Sequence, residues 1–214
     1  MEPALQLIDD VQVRALVAAR LMTADADGLY KAMFRGPVCV VATLLGFTPA
    51  QGRAISELTA DFVACLSPLS NDLQLAAAHA AAEQLRGYFI ELLAEANSDL
   101  LQAIEQRFAG DKETLIANLI GLCSQTFEAT AGLIGNALIA LRREPELRDA
   151  SVDALLAEVQ RFDPPVQNTR RFVAQACEID GVRLGTGEVI LVLLASANRD
   201  PLLNAEPERF LLDR

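Results

Sequence analysis

Residues 158–171 read EVQRFDPPVQNTRR, and this stretch marks a change in the secondary structure that the sequence predicts. Glu158 and Arg161 stand three residues apart, which puts both side chains on one helix face, where they can form an ion pair. Pro164 and Pro165 end that helix, because the residue before a proline is driven towards extended backbone. An E-x-x-R spacing alone is weak evidence of function, since it arises by chance in many helices and an exposed pair adds under ~1 kcal/mol.

Upstream of residue 158, apolar residues recur at helical spacing, and short polar turns separate the segments. The predicted helices cover residues 7–24, 28–46, 49–66, 71–96, 97–110, 112–143 and 151–162, with a further short helix around 145–149. Pro37 interrupts the second helix and is expected at a first turn or a kink. Thr48 is expected to cap the third helix, with Pro49 at its first position. The longest helix, over 112–143, would span roughly 45 Å at ~1.5 Å per residue.

Downstream of the prolines the pattern changes to short strands with glycines at their turns. The predicted strands cover residues 168–176, 178–179, 182–184 and 189–193, and the part from Asn198 onward is rich in loops. Helices first and a small antiparallel sheet near the C-terminus predict a mainly α fold. We interpret the chain as a single, incomplete domain with a helical part over 1–165 and a sheet-and-loop part over 166–214.

Three glycines lie inside the longest predicted helix, at Gly121, Gly132 and Gly135. Each costs about 1 kcal/mol relative to Ala in a helix interior, so the missing side chains need a reason. Close approach by another body and close helix–helix packing both explain this feature.

The charge of the chain argues against one class of partner. The 214 residues carry a formal net charge of −11 and a pI near 4.6, and the lysines are limited to Lys31 and Lys112. An acidic surface repels phosphate backbones and anionic lipids, so nucleic-acid binding is not expected.

We expect a cytoplasmic protein that does not span a membrane. The N-terminal MEPALQLIDD has neither the basic region nor the apolar region of a signal peptide. Residues 115–141 carry a single charge, at Glu128, and are long enough to cross a bilayer. Polar residues such as Asn118, Gln125 and Asn136 interrupt them, so a central helix buried by protein explains the composition better.

The four cysteines are widely spaced, at Cys39, Cys65, Cys123 and Cys177, and they contain no C-x-x-C pair. We favour four reduced thiols in the core over a disulfide pair or a metal site. His79 lies in an Ala-rich segment and is expected at or near the surface, so no set of metal ligands is predicted.

Several motifs follow one another in a fixed order from Arg161 onward. They are RFDPPVQ at 161–167 leading into Thr169-Arg170-Arg171, DGV at 180–182, GEVIL at 187–191, ANRDP at 197–201 and PERF at 207–210. This series resembles the K-helix, the following sheet and the pre-meander segment of a cytochrome P-450 of the bacterial soluble type. FEAT at 127–130 is similar to the oxygen-activating I-helix segment of that family, and LGFTP at 45–49 is similar to one of its helix ends. The resemblance covers nearly the whole chain, most securely residues 112–214.

The resemblance implies a structural role or a haem-binding role for five residues. Glu158, Arg161 and Arg209 match a Glu-Arg-Arg triad that locks the core near the haem. Arg171 matches the position that binds a haem propionate, and its neighbour Arg170 is the alternative. A guanidinium suits a carboxylate because its planar fork donates two parallel hydrogen bonds.

Glu128 matches the acidic member of an acid–alcohol pair that delivers protons in this family. The alcohol position beside it is Ala129 instead of Thr, and Thr130 or Thr126 could compensate without occupying the same place. We assign the pair to Glu128 and Thr130. Glu128 is expected to point inward, into an apolar cavity on the helix face that also carries Leu133, and this cavity is expected to be open to water in a chain without haem. Two roles stay open for it: proton transfer, because burial raises the pKa of a carboxyl group towards neutrality, or a structural hydrogen bond to the backbone of a bent helix.

The sequence departs from the family at its haem-binding end. The family's F-x-x-G-x-x-x-C-x-G loop is expected after Arg214 and does not occur in these residues, nor do the family's N-terminal sheet and first helices. A cysteine thiolate is the axial ligand that this chemistry requires, and His79 is not expected to replace it. We therefore expect a truncated chain that does not hold haem stably.

By resemblance, the parent activity is a haem-dependent monooxygenase that inserts one oxygen atom of O₂ into an apolar small molecule, with electrons from a ferredoxin or a flavoprotein. The substrate cannot be predicted, and this chain is expected to be inactive alone. Two alternatives stay open. One is a haem-free helical binding or interaction protein that retains the scaffold, which Ala129 favours slightly. The other is a truncated reading frame that never folds alone.

Overall fold

A computed structural model of the protein describes residues 6–21, 26–67, 69–95, 98–108 and 110–214. They belong to two compact units: unit 1 is Met1–Ala131 and unit 2 is Gly132–Arg214. We predicted one domain that changes character at residue 165, whereas this boundary falls inside the longest helix. The difference arises because the end of that helix packs into the small apolar core of unit 2.

Unit 1 is built from helices that begin and end within a few residues of the predicted bounds. They are α1 (Asp10–Leu21), α2 (Ala26–Leu45), α3 (Pro49–Val63), α4 (Asp72–Glu95), α5 (Asp99–Glu105) and the first part of α6 (Lys112–Arg143). Short 3₁₀ turns follow α3 and α5, at Ala64–Leu66 and Gln106–Phe108. Residues 22–24, with which the first helix was predicted to end, lie outside the described residues, as do 1–5, 25, 68, 96, 97 and 109.

Local sequence signals explain where α3 begins. Thr48 Oγ1 accepts a hydrogen bond from the Gln51 amide at 3.3 Å, and Gln51 Oε1 accepts one from the Thr48 amide at 2.9 Å. With Pro49 at the first helical position, this is the capping box that satisfies orphan donors at a helix start. The predicted cap is confirmed. Pro37 was expected at a first turn or a kink; it lies inside α2, which runs through it.

The core of unit 1 is aliphatic and is contributed by α2 to α6. Its largest fully buried side chains include Leu45, Ile55, Leu85, Phe89, Leu101, Ile104, Leu115 and Leu119. Phe47 meets Phe89 edge to face, with ring centroids 5.3 Å apart. Tertiary packing of these apolar side chains therefore stabilises the predicted mainly α fold.

One helical segment within the described ranges, Gly28–Leu45, has the length and mean hydropathy that a membrane crossing needs, whereas residues 115–141 do not meet that criterion. The core helix of a globular protein passes the same test, and Val38, Ala42 and Leu45 of this segment are fully buried in the core of unit 1.

Unit 2 begins with the end of α6 and continues through a 3₁₀ turn at Pro145–Asp149 into α7 (Val152–Phe162). Ser151 caps α7 by accepting a hydrogen bond from the Ala154 amide at 3.1 Å. Four strands follow: β1 (Asn168–Phe172), β2 (Cys177–Ile179), β3 (Val182–Leu184) and β4 (Val189–Leu193). A short helix, α8 (Leu194–Ala197), then leads into turns and loops up to the last residue.

The strands form two antiparallel pairs. β1 pairs with β4, and the β2–β3 hairpin lies between them in the sequence. The hairpin turns at Asp180-Gly181, where both residues have positive φ, of 50° and 78°, as a two-residue type I′ turn requires. The small antiparallel sheet predicted from the sequence is confirmed, although β1 ends four residues earlier than predicted.

The apolar core of unit 2 is small. Ala137 from α6, Leu147, and Leu155 and Val159 from α7 are buried in it, and Phe210 from the C-terminal loop packs against them. Gly132 faces the chain after α7, because a Cβ at this position would lie 2.7 Å from Pro165 Cβ. Close approach of a non-helical segment therefore accounts for Gly132, while a Cβ at Gly121 would meet no described atom within 4 Å.

Candidate functional site

Among the described residues, Glu158 is the one charged residue that is buried, with 3% of its surface exposed. α7 brings Arg161 to the same face one turn later, as the i,i+3 spacing predicts. Arg161 Nε donates to Glu158 Oε2 at 2.8 Å and Arg161 Nη2 donates to Oε1 at 2.7 Å. This is the bidentate geometry in which a guanidinium binds a carboxylate most strongly.

The C-terminal loop supplies the remaining partners of Glu158. The Leu211 amide donates to Glu158 Oε1 at 2.7 Å, and Arg214 Nε donates to the same atom at 3.1 Å. The Arg161 guanidinium donates in addition to the carbonyls of Asn198, Pro207 and Arg209, at 3.2, 2.9 and 2.8 Å. We call Glu158, Arg161, Arg214 and these main-chain groups the Glu158 network.

Arg209, the predicted third member of the triad, takes part only through its main chain. Its carbonyl accepts from Arg161 and Arg214, whereas its guanidinium pairs with Glu206 at 2.5 Å on the surface. The predicted contact between the Arg209 side chain and Glu158 is therefore wrong, and Arg214 occupies that place. The available signal was a second arginine five residues after Arg209, which sequence reasoning did not use.

Burial and hydrogen bonding act in opposite directions on the Glu158 network. Burial raises the pKa of Glu158, but the hydrogen bonds from Arg161, Leu211 and Arg214 together outweigh it, and the pKa lies below its usual value. The hydrogen bond to Glu158 raises the pKa of Arg161. Glu158 is thus held ionised, which suits a structural anchor and not an acid that exchanges protons near neutral pH.

Arg170 and Arg171, the predicted propionate-binding position and its alternative, lie on β1 and are exposed. Arg170 is opposite Leu191 and Arg171 is opposite Ile190 in the β1–β4 register. Because successive side chains in a strand point to opposite faces, the two guanidinium groups serve different faces of the sheet. Arg171 Nη1 donates to Thr169 Oγ1 at 2.8 Å and to the Arg170 carbonyl at 2.9 Å, which holds it at the strand surface.

Glu128 lies in α6 and is exposed, so the prediction that it is buried is wrong for the described chain. The buried face of this part of the helix carries Leu119, Cys123 and Phe127, at i, i+4 and i+8, and Glu128 is one residue beyond that line. Thr130, its predicted partner, follows two residues later, about 200° around a helix of 3.6 residues per turn. The structure therefore does not bring Glu128 and Thr130 together on one face.

Thr126 and Leu133, on the face predicted to bound an apolar cavity, are partly buried. Thr126 Oγ1 donates to the Leu122 carbonyl at 2.7 Å, so this hydroxyl is occupied by its own helix. Ala129 offers no polar group. The proton-delivery role of Glu128 and Thr130 remains a prediction from the resemblance.

None of the four cysteines forms a disulfide in the structure. Cys39 and Cys123 are buried and Cys65 is partly buried, but Cys177 is exposed on β2, so the prediction of a core position is wrong for Cys177. His79 is exposed, as predicted. Among the described residues, no group of three or more His, Cys, Asp or Glu side chains is arranged to hold a metal ion.

Comparison with known proteins gives one consistent result. A family model described as Cytochrome P450 matches residues 150–214. Cytochrome P450 BJ-3 of Bradyrhizobium diazoefficiens is 31% identical over 90% of this chain and 52% of its own length. The Vitamin D(3) 25-hydroxylase of Pseudonocardia autotrophica is 32% identical over 100% of this chain and 54% of its own length.

A solved structure agrees with these sequence relatives. The crystal structure of Mycobacterium smegmatis CYP164A2 with econazole bound superposes with a TM-score of 0.75 and is 30% identical, covering 95% of this chain and 56% of that one. The chain spans about half the length of the curated relatives that it matches.

Proposed function

This chain belongs to the cytochrome P450 family, of which it spans a partial segment, and we propose that it serves in a haem monooxygenase. The proposed reaction inserts one oxygen atom of O₂ into an apolar small molecule, with electrons from a ferredoxin or a flavoprotein. A cytoplasmic location is part of the proposal. The substrate is left at the level of an apolar small molecule, because no described pocket carries groups that would specify one.

The observation that carries this proposal is the Glu158 network. A carboxylate that is 3% exposed costs several kcal/mol to desolvate unless it is paired and hydrogen-bonded, and here four donors from α7 and the C-terminal loop satisfy it. The network lies within the segment that the family model matches, over residues 150–214. The network would hold the C-terminal loop of this segment in place, which supports the proposal that the segment serves in a haem monooxygenase.

The residues of this segment could bind a haem propionate, but they do not provide a thiolate ligand for the haem iron. Arg171 presents an exposed guanidinium on β1, which suits a propionate. Three of the thiols are poor iron ligands: Cys39 donates to the Gly52 carbonyl, Cys65 donates to the Phe62 carbonyl, and burial raises the pKa of Cys123 to about 12. Cys177 is exposed on β2 and does not stand in the family's F-x-x-G-x-x-x-C-x-G setting, so we assign no thiolate ligand to a residue of this chain.

When bound, haem supplies the redox chemistry with O₂ in this family. The residues of this chain would bind a haem propionate and orient the C-terminal loop. Arg171 would hold a propionate through its free guanidinium donors, and the Glu158 network would keep the loop over 198–214 in one conformation. Glu128, with Thr130, is proposed to move protons at its carboxylate, although these two side chains lie on different faces of α6 in the described chain.

A second candidate is a haem-free helical binding or interaction protein that retains the scaffold. Two observations favour it: Ala129 stands where the family has an alcohol, and Glu128 is exposed instead of lining a buried cavity. In this case the Glu158 network would be purely structural, and Arg171 would have no special partner.

Haemin titration of the purified chain separates the two candidates. We expect weak, reversible binding of haemin with a shift of the Soret absorbance, and an affinity that falls about threefold to tenfold in Arg171→Ala, because an exposed charge-assisted hydrogen bond is lost. Arg183→Ala, at an exposed arginine of the β2–β3 hairpin, is the matched control and should bind as the parent does. Equal affinities in all three proteins would contradict the propionate-binding role of Arg171, and no saturable binding would favour the haem-free candidate.

Two further measurements address the axial ligand. The reduced, CO-treated chain with haemin should lack the Soret band of thiolate ligation, and the appearance of that band would contradict our assignment of the cysteines. Reading the DNA beyond the codon for Arg214 should reveal a Phe-x-x-Gly-x-x-x-Cys-x-Gly segment if the chain belongs to an active monooxygenase. Its absence in every frame would leave the haem-free protein or a reading frame that does not fold alone.

A further inference from the structure

Arg199 makes three different contacts with two separate parts of unit 2. Its Nη2 donates to the Phe162 carbonyl at 2.8 Å, and its Nη1 pairs with Glu208 Oε2 at 2.5 Å. The guanidinium carbon also lies 4.5 Å from the centre of the Phe162 ring, within the range of a cation–π contact. With 34% of its side chain exposed, Arg199 is neither a free surface group nor a member of the Glu158 network.

Both partners of Arg199 are sequence neighbours of groups in the Glu158 network. Phe162 directly follows Arg161, the central donor. Glu208 stands between Pro207 and Arg209, whose carbonyls accept from Arg161 at 2.9 and 2.8 Å. Arg199 therefore connects the backbone next to Arg161 to Glu208, which stands between the two residues whose carbonyls accept from Arg161.

A second set of contacts fixes the same junction. Phe162 and Phe210 meet edge to face, with ring centroids 5.6 Å apart. Asn198 Nδ2 donates to the Gln160 carbonyl at 3.1 Å, so the residue before Arg199 is tied to α7 as well. Arg199 thus starts from an anchored backbone position, which reduces the entropy lost when its side chain binds.

We propose that Arg199 is a positioning residue that sets the register of the C-terminal loop against the end of α7, so that the acceptors of Arg161 and the Leu211 amide meet the Glu158 network. It acts through Phe162 and Glu208 and contacts neither Glu158 nor Arg161. The importance of this role for a monooxygenase rests on the proposed function, but the positioning itself is a property of unit 2 and is measurable without haem.

The chemistry requires a guanidinium at this position. Its planar fork donates to a carbonyl and a carboxylate at once while its face covers the Phe162 ring, whereas a lysine ammonium is a compact point charge. Arg199→Lys should therefore preserve the attraction to Glu208 and lose the simultaneous contacts with Phe162.

Hydrogen exchange of the Leu211 amide in the full 214-residue chain reads out the loop position directly, because this amide donates to Glu158 Oε1 at 2.7 Å. We expect Arg199→Met to accelerate exchange at Leu211 about tenfold or more, with a smaller increase in Arg199→Lys and Glu208→Gln. Arg142→Met, which changes an exposed arginine at the end of α6, should leave exchange at Leu211 unchanged.

The reference amide is that of Asp163, which donates to the Val159 carbonyl at 2.9 Å at the end of α7. A positioning role predicts that Leu211 exchange rises more than Asp163 exchange. Equal acceleration at both amides would mean that Arg199 only stabilises unit 2 as a whole, and unchanged exchange at Leu211 would mean that it has no role in the network. Either result would overturn the proposal. The Arg199→Lys and Glu208→Gln variants decide the matter if Arg199→Met does not fold.

Discussion

Arg214 Nε lies 3.1 Å from Glu158 Oε1, although 56 residues separate the two in sequence. Arg214 also donates to the carbonyls of Ala205, Glu206 and Arg209, so its guanidinium is surrounded by acceptors. Burial of Glu158 is tolerable because this arginine and Arg161 approach it from two directions. The loop over 198–214 is consequently ordered around a single carboxylate.

Arg214→Met should destabilise the chain by about 2 kcal/mol, because it removes one charged donor from a buried carboxylate and leaves several carbonyls with fewer partners. Arg209→Met is the matched control, since the Arg209 guanidinium pairs with the exposed Glu206 and not with Glu158. Its effect on urea unfolding followed by circular dichroism should be too small to resolve. A larger loss for Arg209→Met than for Arg214→Met would restore the triad predicted from the sequence.

Lowering the pH should reduce the free energy of unfolding through protonation of Glu158. The folded pKa of Glu158 is lowered, so its contribution to stability is complete above the value in the unfolded chain, ~4.3, and is lost as the pH falls through the lower folded pKa. Glu158→Gln should be less stable than the parent by about 3 kcal/mol at pH 7, and the difference should shrink below pH ~4.3. Urea unfolding between pH 3 and 7 measures both effects.

Glu146→Gln provides the comparison for this experiment, because Glu146 is an exposed carboxylate of the same unit. Its unfolding free energy should follow that of the parent across the whole pH range. A pH-independent gap between the parent and Glu158→Gln would show that Glu158 does not titrate with a lowered pKa.

Elements whose signals are local were predictable from the sequence. The Thr48 cap, the Asp180-Gly181 turn and the pairing of Glu158 with Arg161 each depend on residues no more than three positions apart. β1 was predicted too long because its pairing partner, β4, is only five residues long, and residues 174–176 have no opposite strand. Strand length therefore depended on a partner that propensity does not specify.

The partly wrong assignments depend on which face of an element is buried, or on contacts remote in sequence. Glu128, a lone charge in an apolar helix, was expected inside, but Leu119, Cys123 and Phe127 define the buried line and leave it exposed. Arg214 joins Glu158 through a loop without any periodicity. The sequence offers only a second arginine five residues after Arg209, without a periodicity that would identify its partner.

The thiols should differ sharply in reactivity. Cys177 is exposed, whereas Cys123 is buried and burial raises its pKa to about 12, so that very little thiolate forms at pH 8. In the native chain Ellman's reagent should modify Cys177 first, and Cys123 should react only after unfolding in urea. Cys177→Ser should remove the fastest phase, while Cys65→Ser should leave it in place. A fast phase that persists in Cys177→Ser would contradict the exposure of β2.

Two glycines of α6 should respond in opposite ways to the same substitution. A Cβ at Gly132 would lie 2.7 Å from Pro165 Cβ, and a proline ring cannot move aside as the end of a flexible side chain can. The helix gains about 1 kcal/mol from Gly→Ala, but overpacking costs about 1–3 kcal/mol, so Gly132→Ala should be destabilising by roughly 1 kcal/mol. Gly121→Ala meets no described atom within 4 Å and should stabilise the chain by up to ~1 kcal/mol. Thermal and urea unfolding of both variants measure the difference, and a stabilising Gly132→Ala would show that Pro165 does not pack against this turn of the helix.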